Sequence, residues 1–354
     1  MTKKRALLYA LIASLLAILV YVQFRTWRNF DWAVFRAQTD QVFSAHGLIH
    51  IFGGIAYTYF AYGLRALRWR IFLRPVKKTT SAKLLAPTII GFTGLALLGR
   101  PGEMIRPYLI ARKEGLSFSS QLAVWAVERI FDVGAFATLL VMAIFFAQGP
   151  RQFGAYYGKF REGGLLLIAL VAGLGIAATV IAMKGDLVAS WAERRFVGHA
   201  SGLGHKIAAR VREFRGGLNT IHGASELAQL IGVSLVLWYA IALAYQQVTS
   251  AYGVSVLAVP VSQVLLLMAS SMVGSLVQLP GVGGGSQLAT ISTLQHVFGA
   301  PPELAASCGI LLWLVTFMTV IPLGLVLAHR ERLSIRGLSK ESHVQEEVVE
   351  GGGV

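Results

Sequence analysis

Six charged residues stand where charge is costly. LLGRPGEMIRPYLI, residues 97–110, sets Arg100, Glu103 and Arg106 between two apolar runs, and WAVERIFDVGAF, residues 125–136, sets Glu128, Arg129 and Asp132 inside a third. Pro101 suits the first position of a helix, where its missing N–H would have no partner in any case. Glu103 then falls in the first turn, where the helix dipole favours an anion, and shares a face with Arg106 three residues on. Arg100 and Arg106 could grip a phosphate between two guanidinium groups, with Glu103 orienting one of them. A salt-bridged turn at the membrane interface, holding no ligand, is the structural alternative. Glu128 and Asp132 are four apart on one helix face, with Arg129 in reach of Asp132. For a span beginning near residue 121, Asp132 lies about 16 Å in, close to the midplane. An ionised group there costs roughly 2.5–3.5 kcal/mol and calls for a partner or a pathway. Arg100 or Arg106 is the expected partner, and an ion-pair lock without a ligand is the rival.

A third stretch, SLVQLPGVGGGSQLATISTLQ at 275–295, carries no charge. Glycines such as Gly283 and Gly284 allow close backbone approach and expose N–H groups to an anion at the start of the next helix, while Gln278 and Gln287 add polar side chains. Tight helix packing explains such glycines equally well. The stretch is neither a P-loop, since no Gly-Lys-Ser/Thr follows, nor a dinucleotide fingerprint, since it lacks a strand–turn–helix setting.

The elements that must position these residues follow from composition. The chain of 354 residues is 55% hydrophobic and 14% charged, with a mean hydropathy of +0.62, which marks an integral membrane protein. Apolar segments lie at about 6–24, 45–64, 84–99, 121–146, 164–183, 227–249, 256–279 and 303–328. They are near the length a spanning helix needs and lack strand alternation, so the fold is all-α. The net charge of +15 fits basic loops facing anionic headgroups, not nucleic acid. One cysteine, Cys308, excludes an intrachain disulfide and a thiolate metal cluster. MTKKR followed by Ala6–Val22 reads as an uncleaved first span entering from the cytoplasm, with Trp27 and Trp32 at the far interface.

Lys and Arg counts choose the topology. With all eight segments crossing, the two sides hold 17 and 14 basic residues. Folding 84–112 and 256–297 back as hairpins from opposite faces leaves six spans and puts 25 on the cytoplasmic side against 6 outside. Such opposed, broken elements occur in transporters, where they meet near the midplane and line a cavity. The domain is then 1–330. Its cytoplasmic insert 184–226 contains the amphipathic GHKIAARVREFRGGL, and the tail 331–354 is expected to be disordered. In GLRALRWRIFLRP, Arg65, Arg68 and Arg70 read as a positive stop at the cytoplasmic interface, one of which could meet a lipid phosphate. His46 and His50 are four apart but have no third metal ligand near in sequence, so no metal or cofactor is expected. HExxH, GxSxG, zinc-spaced cysteines and Walker motifs are all missing.

GRPGEMIRPYLIARKEGLS, then VERIFDVGAF, then LPGVGGGSQ together resemble the lysylphosphatidylglycerol synthase transmembrane region family, over roughly 6–328. The resemblance places one family motif on Arg100, Gly102, Glu103 and Arg106 and a second on Glu128, Arg129 and Asp132. A late element falls on Pro280, Gly281, Val282, Gly284 and Gln287, where Val282 replaces a glycine and Gln287 a glutamate. It implies translocation of a lipid or lipid-linked substrate. The buried charges and opposed hairpins make an anionic headgroup the expected cargo, the loop charges put both termini in the cytoplasm of a bacterial or archaeal cell, and a separate lipid-modifying enzyme is a possible partner. Transfer chemistry on a lipid phosphate, with Glu103 or Asp132 as general base, and a non-catalytic accessory role are the alternatives.

Overall fold

The structure, a computed structural model, describes residues 30–146, 223–275 and 284–331, with short helical pieces between 158 and 190. The expected first span, most of 164–183, the amphipathic insert, the tip of the second hairpin and the tail from 332 lie outside the described residues. Every regular element described is helical: α1 Trp32–Val42, α2 Ala45–Leu73, α3 Ser81–Leu98, α4 Ile105–Glu114, α5 Phe118–Phe146, α6 Ala224–Ser250, α7 Val261–Gly274, α8 Gly285–His296, α9 Pro302–Trp313 and α10 Val320–Arg330. A 3₁₀ turn, Arg100–Met104, precedes α4, and a π-helical turn, Leu314–Met318, joins α9 to α10. Among the described residues, four helices are long and apolar enough to cross a membrane: Ser81–Leu98, Phe118–Phe146, Ala224–Ser250 and the continuous Pro302–Arg330. The chain is thus an all-α polytopic membrane protein.

Local sequence explains where the helices start and turn. Ser44 and Thr80 cap α2 and α3 by accepting from the backbone N–H groups of Gly47 and Lys83. Gly115, in the left-handed region at φ 68°, ends α4. Gly99 (φ 73°, ψ −148°) and Gly284 (φ 65°, ψ −130°) adopt nearly the same backbone conformation, each directly ahead of the returning limb of a hairpin. A side chain strains that region, so Gly99→Ala and Gly284→Ala are each expected to cost about 1–3 kcal/mol, read as a lowered Tm of purified protein. Unchanged melting in both would refute the turn geometry.

A long helix, a hairpin and a second long helix occur twice. The first unit is α2, α3–α4 and α5; the second is α6, α7–α8 and α9–α10. The flanking helices are 29 and 29 residues in the first and 27 and 29 in the second. α2 and α6 run antiparallel along their length: His50 Nδ1 meets Gln247 Oε1 at 2.6 Å at one end, and Arg74 Nη1 donates to Gln229 Oε1 at 2.7 Å at the other. The two hairpins therefore open at opposite ends of the bundle. Thr79 donates to Glu114 Oε1 at 2.8 Å, closing the open end of the first hairpin near the C-terminal end of α2. Buried Leu257 and Leu294 share one apolar cluster with Val42 at the open end of the second, near the start of α2. Each unit also leans on the other, α3 against α10 and α7 against α5. Among the described residues, the two units thus repeat one helix order with opposite orientation.

Candidate functional site

The first hairpin is tight because of its glycines. A Cβ on Gly91 would fall on the Cβ of Arg106, so only glycine lets α4 lie this close to α3. That approach delivers Arg106 to α5. Arg106 is buried, and its two terminal nitrogens donate to Glu128: Nη1 to Oε1 at 3.2 Å and Nη2 to Oε2. Its guanidinium also lies 4.4 Å from the centre of the Trp69 ring.

Asp132 has different partners from those expected. Neither Arg100 nor Arg106 reaches it. Oδ1 accepts from Nη2 of Arg68 at 2.8 Å and from Nε1 of Trp238 at 3.1 Å, while Oδ2 is 2.9 Å from Nη2 of Arg129 and 3.8 Å from Nη1 of Arg65. The 2.9 Å pair lacks hydrogen-bond geometry, so Oδ2 remains without a hydrogen bond among the described residues. Arg68, fully buried, also donates to Glu128 Oε1 at 2.8 Å and to Ser234 Oγ at 2.9 Å, tying α2, α5 and α6 together.

Arg65 and Arg68 are the residues that sequence reasoning misplaced. α2 runs on to Leu73, so they are a buried part of the helix and not an interfacial stop. The carboxylates of α5 make their burial tolerable. One signal was present in the sequence: Arg65, Arg68 and Trp69 fall on one helix face, and Glu128 and Asp132 in a distant span need cations.

A cavity of about 310 Å³ opens beside this cluster. Arg65 and Tyr62 of α2, Phe92 and Glu103 of the first hairpin, and Ser271 and Gln287 of the second all face it, so both hairpins contribute to its wall. The π-helical turn presents Thr316 and Phe317 to the same space, a common place for such turns. A recess of about 20 Å³ adjoins it, lined by Arg106, Trp125 and Arg129 and sharing Phe92, Leu95 and Glu103 with the larger cavity.

The structure brings Glu103, Arg106, Glu128, Arg129, Asp132 and Gln287 around these spaces or into the cluster beside them. Glu103 has no hydrogen bond or ion pair among the described residues with Arg100 or Arg106, and the charge it faces across the recess is Arg129. Arg100 is exposed at the hairpin tip and is not on the cavity wall. Gly284 caps α8. Gln278 and Gly283 lie outside the described residues.

A family model described as the lysylphosphatidylglycerol synthase TM region matches residues 7–324. The chain is also similar to a UPF0104 membrane protein of Methanothermobacter thermautotrophicus, 25% identical over 271 residues, which covers 74% of this chain and 78% of that protein. No solved structure matches the chain.

Proposed function

The chain belongs to the lysylphosphatidylglycerol synthase TM region family, and from that premise we propose that it is a flippase-like transporter that moves a lipid with an anionic headgroup between leaflets. The observation that carries this reading is a surplus of positive charge in the cluster beside the cavity, where Arg65, Arg68 and Arg106 are buried and Arg129 is partly exposed. The guanidinium groups of Arg65, Arg68, Arg106 and Arg129 face the carboxylates of Glu103, Glu128 and Asp132. One positive charge is left over, and a single phosphodiester would cancel it. A charge in a largely buried cluster is costly without a counter-charge, which favours an anionic ligand over a closed ion-pair lock.

The hairpins then act as re-entrant elements from opposite faces, and the headgroup passes between them while the acyl chains stay in lipid. The end of the bundle carrying Lys77, Lys78, Lys83, Arg112 and Lys113 faces the cytoplasm of a bacterial or archaeal cell. Gln287, standing where the family resemblance places a glutamate, removes a carboxylate from the cavity wall and fits an anionic headgroup better than a cationic one. A separate lipid-modifying enzyme would supply the lipid if it is a modified one.

The test is leaflet exchange of fluorescent phosphatidylglycerol in proteoliposomes, read by dithionite quenching. Wild-type protein is expected to expose inner-leaflet lipid, and Arg106→Ala and Asp132→Ala to fall to the protein-free background. Background exchange by the wild type across a panel of anionic lipids would sink the proposal. One observation favours transfer chemistry instead: Glu103 is a half-buried carboxylate on the cavity wall that no arginine grips. That reading requires a new lipid species in expressing cells, and an unchanged lipidome counts against it.

A further inference from the structure

Four buried atoms of the charged cluster lack a hydrogen-bond partner among the described residues: Nη1 of Arg65, Nε of Arg68, Nε of Arg129 and Oδ2 of Asp132. Of the three arginines, Arg65 and Arg129 line a cavity or recess and Arg68 lines neither. Buried donors and acceptors are nearly always satisfied, so such a group points to a missing ligand. The two arginines stand on either side of the carboxylate but face different spaces. Arg65, 8% exposed, lines the larger cavity. Arg129 lines the recess, and its side chain is 40% exposed. It lies about 16 Å along α5 from Phe118, well inside an apolar helix, where a guanidinium open to the recess is costly unless water or an anion meets it.

We propose that Arg129 and Arg65 are two successive stations for one phosphate group, and that Asp132 between them neutralises whichever arginine is vacant. This rests on the transport reading of the same site. Oδ1 of Asp132 is held in place by Arg68 and Trp238, at 2.8 and 3.1 Å. Oδ2 is the shared oxygen. With phosphate on Arg65 it pairs with Arg129 at 2.9 Å, and with phosphate on Arg129 it closes the 3.8 Å gap to Arg65. Arg106 does not compete, since both its terminal nitrogens are engaged by Glu128. Glu103, on the wall common to both spaces, disfavours an anion resting between the stations. The ligand class is a phosphate ester that enters at the recess and is handed inward, or the reverse.

The test uses the full chain in nanodiscs of neutral lipid, titrated with dioctanoyl phosphatidylglycerol or with inorganic phosphate and followed by tryptophan fluorescence. Each station binds alone, so Arg65→Gln and Arg129→Gln are each expected to keep saturable binding, weakened by up to about tenfold. The double variant is expected to lose it. Asp132→Asn removes the competitor of the phosphate and is expected to tighten binding about tenfold, whereas a purely structural role for Asp132 would weaken it. Loss of binding in either single variant, wild-type binding by the double variant, or weaker binding by a folded Asp132→Asn would overturn the two stations. Binding of neither probe would overturn them as well. Binding of inorganic phosphate but not of the lipid would keep the stations and overturn the lipid reading.

Discussion

Glu128→Gln is expected to cost the fold about 3–5 kcal/mol, the loss typical when one member of a buried ion pair is removed. Glu128 is fully buried and accepts from Arg68, Arg106 and Arg129. An amide of the same shape keeps the packing but cannot balance Arg68 and Arg106, which no solvent reaches well enough to hydrate. The hairpin is held to α5 through this carboxylate, so its loss should also loosen α4. The measurement is thermal unfolding in detergent, read by size-exclusion of the remaining folded fraction. Adding Arg106→Gln removes the stranded cation, and the double variant should melt above Glu128→Gln alone, giving a favourable coupling in a double-mutant cycle. A Glu128→Gln protein that melts with the wild type would remove the ion pair from the account of the fold.

Neutralising Arg68 and Arg65, one turn apart on α2, is expected to give opposite results. Arg68 donates to Ser234, Glu128 and Asp132, and Arg68→Gln should destabilise by about 3–5 kcal/mol. Lysine keeps the charge but has no planar fork to span both carboxylates, so Arg68→Lys should recover only part of the loss. Arg65 is also buried, yet its Nη1 makes no hydrogen bond and stands 3.8 Å from its nearest carboxylate oxygen. Removing that poorly compensated charge should leave stability within about 1 kcal/mol of the wild type. Lipid exchange, in contrast, should fall in Arg65→Gln. Equal destabilisation by the two substitutions would show Arg65 to be a structural arginine and not a ligand-facing one.

The distribution of these roles was partly legible beforehand. Glu128, Arg129 and Asp132 announce themselves as charges inside an apolar run, and their mutual spacing already pairs Arg129 with Asp132. Arg106 was legible as a candidate, but its partner was not, because helix depth and rotation decide whether it meets Glu128 or Asp132. α5 begins at Phe118, which puts Asp132 about 21 Å along it and Glu128 about 15 Å, nearer the level of Arg106. Arg100 looked equivalent to Arg106 in the sequence. The turn at Gly99 carries it to the exposed tip instead.

Composition and the spacing of apolar runs by themselves determined an all-α membrane protein, and the Pro-Gly breaks located both hairpins, because burial in hydrocarbon permits few backbone solutions and punishes every exception. Only the tertiary structure decided which arginines stand in the buried cluster beside the cavity. Arg65 and Arg68 resemble the basic end of a span as long as α2 is considered alone, for a helix ends in the sequence wherever its charges begin. Their burial depends on carboxylates 60 and more residues away, on a helix brought alongside by packing. Long-range pairing of that kind leaves no periodicity in the chain, which is why the cavity, its surplus charge and the shared carboxylate of Asp132 appear only once α2, α4, α5 and α6 are assembled.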